Sequence, residues 1–123
     1  MADQRVAVGR LGEDLAVAHL RAAGYRIIER NVRTRLGEID IVALDGSCIV
    51  FVEVRTTRWA RTTPEESIGR TKKRRLGALG EQYLQAHGQS AADWRADVIA
   101  VELEPDGKQR RLEHYVSAIE AVS

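Results

Sequence analysis

Residues 37–55 read GEIDIVALDGSCIVFVEVR and predict two β-strands joined by a tight turn. Runs rich in β-branched and apolar residues cover 38–44 and 48–55, and an Asp-Gly pair lies between them. An Asp-Gly pair in this setting is a strong signal for a β-hairpin. Because apolar residues occupy both faces of each run, we expect other elements to cover both sides of the sheet.

Helical patterns lie on both sides of the hairpin in the sequence. One covers about residues 4–23 and stops at Gly24, and the other covers about residues 65–86 and ends at Gly88. Glycine commonly follows the last residue of a helix. The remaining segments are predicted as strands at 25–29 and 94–103, a polar loop at 56–66, and a strand or short helix near 112–121. This order predicts a single α/β domain over residues 1–123, with a central sheet flanked by helices.

The composition is that of a globular chain, with 44% hydrophobic and 30% charged residues among 123. The apolar runs are too short to cross a membrane, and the first residues lack the apolar core of a signal peptide. We therefore expect a cytoplasmic protein with no membrane partner. The single cysteine, Cys48, excludes a disulfide framework and is expected to be a buried structural thiol.

The hairpin carries several acidic residues whose positions depend on its register. If residues 45–46 form the loop, Asp40 lies opposite Phe51, and Glu38 lies opposite Glu53. Cross-strand partners share a face, and side chains alternate along each strand. The charged side chains then emerge together on one face: Glu38, Asp40, Glu53 and Arg55. The apolar side chains emerge on the other: Ile39, Ile41, Cys48, Val50, Val52 and Val54.

Carboxylates crowded on a central strand favour a bound cation. Burying a charge without a partner is costly, and neighbouring like charges raise the pKa of a carboxyl group. Mg²⁺ is usually held by one or two carboxylates with water molecules, so Asp40 and Glu53 predict a Mg²⁺ or Mn²⁺ site. Glu13 falls on the apolar stripe of the first helix, where it either joins this site or pairs with an arginine.

A cationic segment follows the hairpin. Eight basic residues occur between Arg55 and Arg75, against two acidic ones. This patch indicates an anionic partner such as nucleic acid, although a solvated surface is an equal alternative. The candidate nucleic-acid-binding residues are Arg58, Arg61, Arg70, Lys72, Lys73, Arg74 and Arg75. Trp59 is a candidate either for stacking on a nucleobase or for anchoring the loop.

Several motifs follow one another along the chain: GEDLA at 12–16, GY at 24–25, RN at 30–31, RLGEIDIVA at 35–43, FVEVR at 51–55 and RADVIAV at 95–101. They closely resemble the YraN-type family of small bacterial proteins. That family is uncharacterised in function and is grouped with Holliday-junction resolvase-like nucleases of the PD-(D/E)xK superfamily. The resemblance implies a restriction-endonuclease-like three-layer α/β fold, with a central mixed β-sheet between helices.

The resemblance also implies roles for individual residues. Glu13 matches the helix-borne acid of these nucleases, and Asp40 matches the metal-binding aspartate. Glu53 matches the acid of the (D/E)xK element, followed by Val54, whose carbonyl would be a metal ligand. Glu38 lies in the family's own Gly-Glu-Ile-Asp motif, where a structural and a catalytic role are both open.

Arg55 departs from the pattern, because the superfamily has lysine at this position. Arginine binds phosphate well, but it stays protonated and therefore cannot act as a general base. Lys72 or Lys73 of the second helix is a candidate to replace the missing lysine.

The sequence thus leads to a predicted Mg²⁺- or Mn²⁺-dependent endonuclease acting on DNA. Two alternatives remain open: a nucleic-acid-binding module of the same fold with weak or no turnover, and an adaptor protein. A homodimer is expected from the resolvase-like resemblance, although no residue identifies its interface.

Overall fold

The computed structural model describes the backbone of residues 4–58, 64–67, 70–89 and 91–119, and the side chains of 6–58, 64–65, 75–89 and 91–118. Within these ranges the chain forms two α-helices and five β-strands. They are α1 (Gln4–Ala22), β1 (Arg26–Thr34), β2 (Gly37–Asp45), β3 (Cys48–Arg58), α2 (Arg70–Ala86), β4 (Trp94–Leu103) and β5 (Gln109–Ile119), with a 3-10 turn at Pro64–Ser67. None of the described helices is both long and apolar enough to pass through a bilayer.

The five strands form one mixed sheet in the order β1-β2-β3-β4-β5. Strands β3 and β4 are parallel, and the other neighbours are antiparallel. A parallel pair requires a crossover, and α2 lies in the connection between these two strands. The predicted α/β fold with a central mixed sheet is confirmed, and the last element is a strand rather than a short helix.

The helices cover opposite faces of the sheet. Alternate strand residues face one helix or the other. On the α1 side, Val50, Val52 and Ile99 pack with Leu20 of α1. On the α2 side, Ile49 and Phe51 pack with Leu79 and Tyr83 of α2. Both helices approach the sheet closely. A Cβ atom on Gly12 would overlap Thr56, and one on Gly80 would lie 2.7 Å from the Phe51 ring. The three-layer arrangement therefore depends on glycine at these two contacts.

The element boundaries differ from the prediction in two places. Strand β3 continues to Arg58, where a loop from residue 56 was expected, and the second helix begins at Arg70 after a separate 3-10 turn. The helix ends are as predicted, since Gly24 and Gly88 have left-handed φ angles of 92° and 65°. Cys48 is half-buried at the end of the hairpin rather than in the core.

The predicted hairpin register is wrong by two residues. Val42 pairs with Phe51 and Asp45 pairs with Cys48, so the loop consists of residues 46–47. Asp45 stays in the strand because its carboxylate binds Arg95 of β4 at 3.1 Å, while Gly46 takes the left-handed turn position with φ 61°. A shift of two residues keeps every side chain on its face. However, it overturns the predicted partners of Asp40 and Glu38.

The predicted face of Ile39 is also wrong. Ile39 is fully buried in the α2-side core together with Val42, three residues later, so the alternation of side chains is broken between them. The neighbouring strand is irregular at the same level, because Asn31 of β1 has a left-handed φ of 54°. Both irregularities flank Asp40.

Candidate functional site

Asp40 lies where the ladder between β2 and β3 ends. The last paired residues are Ile41 and Val52, and beyond them Asp40 Oδ2 accepts a hydrogen bond of 2.8 Å from the backbone N–H of Val54. A side-chain carboxylate has thus taken the place of a β2 backbone carbonyl as the acceptor for this β3 N–H. This contact holds Asp40 next to residues 53–54, which agrees with the prediction that Asp40 and Glu53 are neighbours.

The surroundings of Asp40 disfavour its charged form. Burial and then the nearby Glu53 carboxylate raise its pKa to about 8, with smaller contributions from Glu13 and Glu38. The Val54 N–H works in the opposite direction but is outweighed. Asp40 is therefore protonated at neutral pH unless a cation offsets the neighbouring negative charges.

Glu53 and Arg55 face a cleft beneath α2. The cleft has a volume of about 150 Å³ and is lined by Glu38, Glu53, Arg55 and Arg75, with Leu76 and Leu79 on the helix side. Arg55 Nη2 lies 2.9 Å from Glu53 Oε1. Its Nε is buried and makes no hydrogen bond within the described part of the chain. The predicted grouping of Glu38, Glu53 and Arg55 on one side of the sheet agrees with this lining.

Glu13 is buried on the other side of the sheet and pairs with an arginine. Its Oε1 accepts hydrogen bonds from Arg30 Nε at 2.9 Å and from Asn31 Nδ2 at 3.1 Å. Arg30 also binds Asp14 at 2.6 Å. Of the two alternatives left open for Glu13, the arginine pair is therefore present, and its role as a metal ligand stays a prediction.

Glu38 lines two cavities. One is the cleft of Glu53, and the other is an open cavity of about 530 Å³ that is also lined by Glu13, Arg30 and Asn31. Among the described residues, no three His, Cys, Asp or Glu side chains are close enough together to hold a metal ion. The carboxylate of Glu53 is the main acidic neighbour of Asp40. Two carboxylates with water molecules are a common donor set for Mg²⁺, so the residues fit this ion.

The predicted nucleic-acid-binding residues are described only in part. Arg58 is exposed at the end of β3 and donates a hydrogen bond to the carbonyl of Pro105, and Arg75 is exposed at the cleft. Trp59 and Arg61 lie outside the described residues. The backbones of the other four basic residues belong to the first turns of α2, but their side chains lie outside the described part: Arg70, Lys72, Lys73 and Arg74.

The segment between β3 and α2 is tied to the edge strand β5. Arg111 binds both carboxylate oxygens of Glu65 at 2.8 and 2.9 Å, and the Tyr115 hydroxyl donates to Glu65 at 2.6 Å. Hydrogen bonds from Arg111 and Tyr115, opposed by burial, lower the pKa of Glu65 to about 2. This contact anchors the 3-10 turn that lies within the cationic segment.

A second buried acid, Asp97, lies on β4. Its carboxylate is fully buried and accepts hydrogen bonds from Arg95 Nε (3.1 Å), His114 Nε2 (2.8 Å) and the Ser117 N–H (2.9 Å). His114 in turn contacts His19 of α1 at 3.1 Å. None of these contacts involves Asp40 or Glu53.

Sequence reasoning missed Arg30 and Asn31 as partners of Glu13. The sequence identified these two residues only through the motif at 30–31. A sequence with several acids does not indicate which of them a given strand residue contacts. The clearest signal was the acid itself on an apolar helix stripe, which required a partner from another element.

Comparison with known proteins places these residues within a family. A model of the uncharacterised protein family UPF0102 matches residues 12–101, a range that contains Glu13, Asp40, Glu53 and Arg55. A UPF0102 protein of Pelotomaculum thermopropionicum is 46% identical over 123 residues, which cover 96% of this chain and 99% of the relative. A UPF0102 protein of Symbiobacterium thermophilum is 50% identical over 104 residues, 84% of this chain and 88% of the relative. One of Syntrophotalea carbinolica is 38% identical over 121 residues, 98% and 97% of the two chains.

Proposed function

This chain belongs to the uncharacterised protein family UPF0102, and we propose that it is a Mg²⁺- or Mn²⁺-dependent endonuclease that hydrolyses phosphodiester bonds in DNA. The observation that carries the proposal is the position of Asp40. Its carboxylate lies at the end of the β2–β3 ladder, on the Val54 amide and beside Glu53. The proposal includes the cytoplasmic location and the DNA partner expected from the sequence.

Asp40, Glu53 and the Val54 carbonyl would hold the cation, and Glu13 of α1 is the further acid proposed for the site. A bound divalent ion would supply charge neutralisation at the phosphate and lower the pKa of a water molecule. The chain's own contribution is to hold its two carboxylates together between strands that the ladder fixes. Burial beside Glu53 supports this role, because it gives Asp40 a strong preference for a positively charged partner.

Arg55 and Arg75 would bind the phosphate in the cleft. Both guanidinium groups line it, and arginine can donate two parallel hydrogen bonds to one phosphate. Because Arg55 remains protonated, it would orient and neutralise the phosphate without accepting a proton. The cationic segment from Arg58 to Arg75 would bind the DNA backbone, so affinity should fall steeply as salt increases.

The test is a calorimetric titration with Mn²⁺, followed by cleavage assays on supercoiled, linear and four-way-junction DNA in Mg²⁺ and Mn²⁺. We expect Asp40→Asn to abolish high-affinity Mn²⁺ binding, and both Asp40→Asn and Glu53→Gln to abolish cleavage. Asp93→Asn is the matched control, since Asp93 is exposed and its side chain makes no described contact. Cleavage that survives both site substitutions would overturn the proposal.

One observation favours a second function, that of a DNA-binding module with weak or no turnover. Arg55 already forms an ion pair with Glu53 at 2.9 Å, so an internal cation lies at the position where the superfamily has lysine. In this case DNA binding would persist in EDTA, and Arg55→Lys would raise cleavage above that of the wild type. Metal-dependent cleavage by the wild type would exclude this alternative.

A further inference from the structure

His19, His114 and Asp97 form a chain of hydrogen bonds that joins a helix and two strands. His114 Nε2 of β5 lies 2.8 Å from the Asp97 carboxylate of β4, and His114 Nδ1 lies 3.1 Å from His19 Nε2 of α1. The two imidazole rings meet edge to face, with their centroids 5.2 Å apart. The chain therefore connects a fully buried acid to a half-buried histidine on the helix.

Asp97 is the charged end of this chain. Burial opposes its ionisation, but hydrogen bonds from His114, the Ser117 N–H and Arg95 lower its pKa, so the carboxylate is ionised at neutral pH. Arg95 also binds the Tyr25 hydroxyl at 2.7 Å, and the Tyr25 ring packs on His114 with centroids 5.8 Å apart. Within the described residues, the charged and titratable groups around the two histidines are therefore Asp97, Arg95 and Tyr25, with Asp45 of β2 bound to Arg95.

The number of protons on the two imidazoles decides whether they can bind each other. An ionised carboxylate only accepts hydrogen bonds, so His114 must donate its Nε2 proton to Asp97. In the neutral pair, His114 Nδ1 then carries no proton and accepts the Nε2 proton of His19. The bond between the helix and the strand is thus complete when both rings are neutral.

One added proton preserves the bond and reverses its direction. The added proton binds His19 Nδ1, while the shared proton moves from His19 Nε2 to His114 Nδ1. His114 then donates from both nitrogens, to Asp97 and to His19. A second added proton would place an N–H on both facing nitrogens, 3.1 Å apart, and a positive charge on both rings. The bond cannot form in that state, and the two charges repel.

The folded chain resists this second proton at His19. Burial, and then the charge of His114, lower the pKa of His19 from its ordinary value of 6.5. An open or unfolded chain binds this proton from about pH 6.5 downward, whereas the folded chain binds it only at lower pH. The contact between α1 and β5 therefore contributes stability above pH 6.5 and loses it as the pH falls.

We infer that His19 and His114 form a proton-operated latch between α1 and the edge strand β5. The latch is closed with both rings neutral or with one charge on the pair, and it opens when both rings are charged. Because His19 lies in the last turn of α1, opening releases that end of the helix from β5. None of these residues belongs to the proposed metal site, so the latch is independent of the proposed function.

The first experiment is ¹⁵N NMR of the imidazole nitrogens as a function of pH. We expect a scalar coupling across the hydrogen bond between His19 Nε2 and His114 Nδ1 at pH 7.5, and its loss when His19 becomes charged. Substitution of His114→Gln should raise the titration midpoint of His19, because it removes the neighbouring charge. No coupling at pH 7.5 would overturn the inference.

Hydrogen exchange of the backbone amides of residues 20–22 tests the opening itself. After correction for intrinsic exchange, wild-type protection should fall by up to about tenfold for each pH unit below 6.5. The variant His19→Gln keeps an N–H donor but cannot be charged, so its protection should not change with pH. The variant His19→Phe removes the bond, so its protection should be low at every pH.

His87→Gln is the matched control, because His87 is exposed on α2 and stacks on Tyr83 instead. It should reproduce the pH profile of the wild type. If the wild type and His19→Gln have the same profile, the latch is wrong. If His19→Gln does not fold, the coupling in the wild type and its loss at low pH decide the question.

Discussion

Asp40 and Asp97 are two acids of the same sheet, the first half-buried and the second fully buried, and their environments are opposite. Burial disfavours the charge of both, but Asp97 receives hydrogen bonds from His114, the Ser117 N–H and Arg95, which together lower its pKa. Asp40 receives one hydrogen bond from Val54, faces other carboxylates, and has its pKa raised to about 8. The chain therefore compensates the charge of Asp97 by itself, whereas Asp40 requires a proton or an external cation.

The largest expected effect comes from replacing each acid by its isosteric amide. Asp97→Asn leaves Arg95 and His114 facing an uncharged group in a buried network, so we expect a loss of about 3–5 kcal/mol in the free energy of unfolding. Asp40→Asn removes a carboxyl group that folding would otherwise have to protonate, so it should raise that quantity by about 2 kcal/mol in EDTA at pH 7. Urea denaturation of both variants measures the difference, and equal losses would contradict the comparison.

The pH dependence of stability should differ in sign between the two acids. The raised pKa of Asp40 contributes stability that is present below about pH 4 and is lost as the pH rises through about 8. We expect the wild type in EDTA to lose about 2–3 kcal/mol over this interval relative to Asp40→Asn, since partial exposure screens part of the effect. The lowered pKa of Asp97 acts in the opposite direction, with stability lost as the pH falls. Parallel pH profiles for wild type and Asp40→Asn would show that Asp40 is not perturbed.

Addition of Mn²⁺ should stabilise only a protein that has Asp40. At ten times the dissociation constant, binding to the folded state contributes about 1.4 kcal/mol, which corresponds to a rise of about 5 °C in Tm for a domain of this size. Differential scanning calorimetry at pH 7 should detect this shift in the wild type and in Asp93→Asn. A similar shift in Asp40→Asn would place the bound ion elsewhere.

The smallest effect is expected at Glu65, a partly exposed acid that is paired within the chain. Glu65→Gln removes the ion pair with Arg111 and should cost about 0.5–1 kcal/mol at pH 7, less at high salt. Because the pKa of Glu65 is lowered to about 2, its contribution is present above about pH 4.5 and is lost as the pH falls towards 2. Urea denaturation at low and high salt measures both effects, and a loss independent of salt would indicate a packing role instead.

Local signals predicted most of the fold. The Asp-Gly pair located the hairpin, and Gly24 and Gly88 located the helix ends, because each depends on a few adjacent residues. The register error arose at Asp45, which is held in its strand by Arg95 from fifty residues later. No local pattern contains that contact.

The site was also predicted only in part from the sequence. The adjacency of Asp40 and Glu53 was predicted because Asp40 lies close to the position opposite Glu53 in either hairpin register. The partner of Glu13 did not follow, because any of 19 lysine and arginine residues was a candidate. The face of Ile39 was missed because the alternation breaks between Ile39 and Val42, at the level of the left-handed Asn31 in the neighbouring strand.

The contact of Gly12 with Thr56 sets the distance between α1 and β3 at the residue that precedes Glu13. A methyl group at position 12 would overlap Thr56 and force α1 away from β3. Glu13 would then move away from the sheet although no acidic residue had been changed. The distance of Glu13 from the sheet thus depends on the lack of a side chain at Gly12, an uncharged position.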